Sequence, residues 1–220
     1  MLINDLINTN LPSINPADTI RQALQIISEF SVNNIPVVSE KTFLGNISET
    51  ELLEANNDND PVSSLVERFS GFRVKNSSHF LSAVNISAEF GLDVIPVVNS
   101  ENEYAGAVLK NDLFLKLAAF NGAGKPGSII VVEIEFIHFS ISEISRLVES
   151  NNSTILHLNT SAGASPNYIV VTIQINNTEG SAIVSTFERY NYRILYFDGG
   201  RDFENKIHDN YEHLMNYLSI

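Results

Sequence analysis

Along the first half of the chain, apolar residues recur at helical spacing in one stretch and run together in the next, and this alternation happens twice. Ile20, Ala23, Leu24 and Ile27 lie three and four apart, the stripe of a helix with one face on a core. Ile35-Pro36-Val37-Val38 follows, a short β-branched run that predicts a buried strand, and it returns verbatim as Ile95-Pro96-Val97-Val98 sixty positions later. The same offset sets Ala23 against Ala83, Glu29-Phe30 against Glu89-Phe90, and the stripe onto Phe80, Ala83, Val84 and Ser87. Downstream the offset becomes sixty-one, aligning Gly45-Asn46-Ile47 with Gly106-Ala107-Val108 and Glu51-Leu52 with Asp112-Leu113. One residue has entered the intervening turn, where insertions are tolerated. Each copy, about 11–58 and 71–118, predicts helix, short strand, tight turn, second strand and helix.

The pattern changes after residue 120. Asn121–Ser128 carries three glycines and a proline in eight residues, the composition of a linker. It is not a phosphate-binding loop, because Lys125 is followed by Pro126 and the upstream glycine of that motif is missing. Beyond it, Ile130, Val132, Ile134 and Phe136 alternate with Val131, Glu133 and Glu135, the period of a strand with one buried face. Ser140-x-x-Glu143 caps a helix bearing Ile141, Ile144 and Val148. Strands are expected at Thr154–Asn159 and Tyr168–Ile175, then a helix opened by Asn176-x-x-Glu179 with Ile183, Thr186, Phe187 and Tyr190 on one face. A last strand, Arg193–Asp198, ends at Gly199-Gly200. This βαββαβ order is ferredoxin-like, with helices on one face of an antiparallel sheet. From 201 to 220, Phe203, Ile207, Tyr211, Leu214 and Leu218 form one apolar helical face that must cover something.

Charge and composition narrow the function classes. A formal net charge of −13 without a local basic patch argues against nucleic acid as a partner. The absence of cysteine removes disulfides, thiolate metal sites and cysteine nucleophiles. His208 and His213, five apart, do not share a helical face, and no metal is expected. The start of the chain lacks the basic-then-apolar order of a signal peptide and no apolar run reaches spanning length, so the expected location is the cytoplasm, away from membrane. No Gly-x-Ser-x-Gly, His-Glu-x-x-His or dinucleotide fingerprint occurs, and the expectation is a protein that is not an enzyme.

The two copies of Ile-Pro-Val-Val, each followed by glycine and then by an acidic residue and leucine, resemble the CBS domain pair, a tandem module named after cystathionine β-synthase. The resemblance covers 1–120 and implies an α/β pair of repeats with a cleft for an adenosyl ligand: AMP, ADP, ATP or S-adenosylmethionine. It further implies a carboxylate at the start of the last helix of a repeat, holding ribose hydroxyls through charge-assisted hydrogen bonds. Asp112 stands at that place and Glu51 is its counterpart; Ser48 precedes Glu51 by three residues, where the second copy has Leu109. Thr19 and His79 precede the first helix of each copy near the implied phosphate contacts, and Lys75, Arg73 and Lys110 could neutralise phosphate. Each of these residues has a plainer reading. Ser48-x-x-Glu51 is a capping box, Asp112 an acid in a first turn, Thr19 and His79 helix-start residues, and the basic side chains solvated surface.

The α+β part at 129–200 resembles an ACT domain, although Phe136–Ser140 lacks the glycine beside which that family usually binds amino acids, leaving His138 as a polar candidate there. With a C-terminal helix at 201–220, the order of parts is similar to acetoin-utilisation-type CBS proteins. The expectation is a regulatory protein that senses a small ligand and forms a homodimer or higher homo-oligomer. A structural or protein-interaction module whose ligand site has been lost is the alternative.

Overall fold

The stripe beginning at Ile20 folds as the first helix of the computed structural model, which describes residues 1–198. The chain divides into two units, Met1–Ala118 and Ala119–Ile220. In the first, α1 (Ile20–Phe30) leads to an antiparallel hairpin of β1 (Asn34–Ser39) and β2 (Thr42–Ser48), closed by the five-residue α2 (Glu49–Leu53). The second copy runs β3 (Val74–Lys75), α3 (Phe80–Phe90), β4 (Val94–Val98), β5 (Tyr104–Leu109) and the eleven-residue α4 (Lys110–Phe120). The two hairpins share a register: Val37 pairs with Gly45 and Val38 with Phe43, as Val97 pairs with Gly106 and Val98 with Tyr104. The irregularity falls at the same step in both, and the extra residue lies in the β4–β5 turn.

Each copy also carries a short parallel partner that hydrophobic spacing does not reveal. Val74 pairs with Val97 in one, and a single bridge from Ile14 to Val37 does the same in the other. Apolar side chains drive this assembly. Ile20, Ala23 and Ile27 of α1 pack with Ile35, Val37, Ile47 and Leu52, and Phe80 and Ala83 pack with Ile95, Val97, Val108 and Leu113. Leu24 and Val84 sit at the margins of these clusters, half-buried.

The copies exchange their entry segments. Asn8, before the first repeat, bridges Ala107 of the second, and Ser70, before the second, bridges Asn46 of the first. Glycine makes the approach possible: a Cβ on Gly106 would stand 2.6 Å from Ile7 Cγ2 and one on Gly45 2.7 Å from Phe69 Cβ. Asn34 locks the repeats together. It is 1 % exposed; its Oδ1 accepts from the Asp93 and Val94 N–H groups at 2.9 and 3.0 Å, and its Nδ2 donates to the Val94 carbonyl at 2.8 Å.

The second unit is built from β6 (Ser128–Glu135), α5 (Ile141–Glu149), β7 (Ile155–Ala162), β8 (Tyr168–Ile175), α6 (Ser181–Arg189) and β9 (Arg193–Phe197). The sheet order is β7-β8-β6-β9, antiparallel throughout, which is the expected ferredoxin-like topology. Ile130, Val132 and Ile134 turn one face of β6 toward Ile144, Leu147, Val148, Ile183, Val184 and Phe187 of the two helices. Three details differ from the sequence reading. Phe136 leaves the strand for a single 3-10 turn and is exposed, because the chain must bend there toward α5. The helix expected from Asn176 starts at Ser181, since Asn177 spends its side chain on the Glu179 N–H in a local turn. Strand β7 extends three residues past Asn159. The apolar stripe and the histidines of 201–220 lie outside the described residues.

Candidate functional site

The edge of the first unit where an entry segment meets the opposite repeat is the place to look for a site, because Asp112, the carboxylate singled out from the sequence, lines a concave feature there. On the second repeat, Asp112 and Lys116, one turn apart on α4, and Leu115 line a depression of about 390 Å³ with Asp5, Leu6 and Ile7 of the entry segment. That volume lies in the roughly 300–1,000 Å³ range of small-molecule sites. Its lining combines three apolar side chains, two carboxylates and one ammonium. Asp5 is partly engaged, accepting from the Leu2 N–H at 3.3 Å.

The remaining sequence candidates are placed elsewhere. Ser48 is the N-cap of α2: its N–H and Oγ–H donate to Glu51 Oε2 at 2.8 and 2.7 Å, and its Oγ accepts from the Glu51 N–H at 3.2 Å. Thr19 caps α1 in the same way with Gln22. His79 is the N-cap of α3, its Nδ1 accepting from the Leu81 N–H at 3.4 Å, and Lys75 lies exposed in β3. Lys110 pairs with Asp93 at 3.2 Å, and the Arg73 guanidinium stacks 5.9 Å from the centre of the Phe43 ring while donating to the Gly71 carbonyl. Of the six leading candidates, Asp112 is thus the one lining this depression.

Asp5, Leu6, Ile7, Leu115 and Lys116 were not singled out from the sequence. The signal that could have found them is the repeat itself, since residues before each copy have no partner within that copy. Among the described residues no group of three or more His, Asp or Glu is placed to hold a metal ion, and no helix is long and apolar enough to cross a membrane.

Comparison with known proteins bears on the same half. Residues 3–58 match the family model of the CBS domain. The first repeat is a CBS domain. The second repeat copies its hairpin register. Among solved structures, the chain is similar to a CBS domain pair/ACT domain protein from Thermotoga maritima (21 % identity, 54 % of this chain and 98 % of that one, TM-score 0.49). It is also similar to CBSX2 in complex with AMP (19 %, 54 % and 96 %, TM-score 0.46) and to a putative acetoin utilization protein from Vibrio cholerae (16 %, 54 % and 90 %, TM-score 0.45). Each likeness spans about half of this chain.

The second unit has its own cavity, about 850 Å³, at the end of β6. Its wall includes Glu133, 7 % exposed at the side chain and paired with Arg193 at 3.0 Å. His138, the sequence candidate in this unit, lies there too, with Nδ1 3.6 Å from Glu135. Across the cavity edge, Tyr192 donates its hydroxyl to Glu143 at 3.4 Å; burial, then the nearby Glu143 carboxylate, push its phenol up to about 12.

Proposed function

We propose that this chain is a non-catalytic regulatory protein of the cytoplasm whose CBS pair senses an adenosyl ligand in the depression at Asp112. The observation that carries the reading is the convergence there of the α4 carboxylate with the entry segment of the other repeat. A carboxylate accepts two hydrogen bonds from a ribose cis-diol, Leu6, Ile7 and Leu115 offer an apolar wall to a base, and Lys116 among the lining residues supplies a cation for a phosphate or carboxylate. Because two repeats contribute, a ligand that binds this edge favours one mutual arrangement of the repeats, and differential affinity is the only means by which a ligand shifts a conformation. AMP, ADP, ATP and S-adenosylmethionine are the candidates. The ferredoxin-like unit is assigned as the ACT-like half of a homodimeric or larger assembly.

A structural module without a ligand is the second reading, favoured by Leu109, which replaces the Ser48 hydroxyl at the second repeat. A thermal-shift screen of the full chain separates the two. An adenosyl ligand that binds the native state raises its stability by about 2.7 kcal/mol at a hundred times its Kd. A flat response to all four at millimolar concentration would favour the structural module.

A further inference from the structure

The repeats build the same edge twice, open at the second repeat and bridged by hydrogen bonds at the first. The bridges Asn8 to Ala107 and Ser70 to Asn46, with Ile7 over Gly106 and Phe69 over Gly45, fix the correspondence of the entry segments at an offset of sixty-two. The helices correspond at sixty-one, through Leu113 and Leu52, both buried. Leu6 therefore corresponds to Arg68, Asp112 to Glu51 and Leu115 to Glu54. At the second repeat, Leu6 and Leu115 line an open depression. At the first, their counterparts are joined: Arg68 Nη1 donates to Glu54 Oε2 at 3.1 Å and to the Glu51 carbonyl at 3.4 Å. The Glu51 carboxylate is meanwhile turned to Ser48, its Oε2 taking both the N–H and the hydroxyl.

We propose that Arg68 is a built-in plug that closes the first-repeat edge, so that each chain has one adenosyl-ligand site, at Asp112, rather than two. The proposal rests on the reading of Asp112 given above and assigns a role to a residue that reading does not use. The guanidinium reaches from the entry segment onto α2, at the position where Leu6 lines the depression of the other copy. Its partners are the wall residue Glu54 and the backbone of Glu51, the residue whose carboxylate would otherwise meet the ligand. Arg68 is 40 % exposed at its side chain, so the closure is a matter of occupied space and directed hydrogen bonds rather than of a strong ion pair.

The test is the number of sites per chain in the full-length protein, read by equilibrium dialysis with AMP and, separately, with S-adenosylmethionine. The wild type should bind one equivalent, and Arg68→Leu, which installs the residue found at the open edge, should bind a second. Arg68→Ala serves as the parallel variant, and circular dichroism melts confirm that both fold. Arg68→Lys, able to hold the stem in place, should stay near one. A wild type that binds two, or folded Arg68→Leu and Arg68→Ala proteins that bind one, would overturn the plug while leaving the Asp112 reading in place. Binding absent in the wild type but present in Arg68→Leu would support the plug and overturn Asp112 as the site. Binding absent in all proteins would overturn both.

Discussion

The two repeats agree to the residue along their hairpins and disagree at their edges. Val37-Gly45 and Val97-Gly106 are the same pair in the same register, each glycine admitting the other repeat's entry segment. Yet one edge holds a depression at Asp112 and the other a hydrogen-bonded Arg68, Glu54 and Ser48–Glu51 cluster. Two hydrophobic cores of similar pattern produce the scaffold, and a few side chains outside those cores decide what it holds. Substitutions that make one copy resemble the other break the comparison most directly.

The largest effect is expected at the seam. Asn34→Ala removes three hydrogen bonds and leaves the buried N–H and C=O of Val94 unsatisfied, a cost on the order of 3 kcal/mol in urea denaturation. Asn34→Val, which copies the corresponding Val94, should lose nearly as much, because the second repeat holds no donor and acceptor to replace it. A loss below about 1 kcal/mol would show that the seam does not depend on this amide.

Next comes Tyr104, whose counterpart across the repeat is Phe43. Its hydroxyl is buried with no hydrogen-bond partner, and burial pushes its phenol up to about 12. The folded pKa is above the unfolded value of about 10, so the unfolded state loses its proton first as pH rises. Stability that is intact below pH 10 should fall by ~1.4 kcal/mol per pH unit between 10 and 12 from this group. Tyr104→Phe should remove that share of the alkaline loss, leave the share due to Tyr192, and stabilise the protein slightly at pH 7. Denaturation curves at pH 7, 10 and 11.5 check both signs.

Smaller effects separate scaffold from site. Ser48→Ala removes the α2 cap and should cost about 1 kcal/mol of stability, as should Thr19→Ala at α1. His79→Ala gives up the 3.4 Å cap bond to the Leu81 N–H and the ring's contact with Phe80, and should cost on the order of 1 kcal/mol as well. An Asp112→Ala protein whose melting temperature fell as far as that of Ser48→Ala would place Asp112 among the caps.

How much of this was visible in the sequence follows from how far each feature reaches along the chain. The repeat was legible because Ile-Pro-Val-Val recurs verbatim, and β8 because Ile169, Val171, Ile173 and Ile175 alternate without interruption. The parallel contacts at Ile14 and Val74 were not, since a strand of one or two residues has no period. The exchange of entry segments was hidden for a different reason: it depends on space left by Gly45 and Gly106, and a glycine in a repeat reads equally well as a turn. Asp112 was found by its place after β5, whereas Arg68 was missed because its counterpart Leu6 lies before the region the repeat alignment covers.

The central claim is that Asp112 holds a ligand rather than a helix end, and calorimetric titration of wild type and Asp112→Ala with the adenosyl ligand selected by thermal shift tests it most directly. Loss of a hydrogen bond to a charged group costs ~1.5–3 kcal/mol, so affinity should fall by roughly ten- to a hundred-fold while the denaturation midpoint stays put. Superimposable titration curves for the two proteins, with a ligand that binds the wild type, would contradict it.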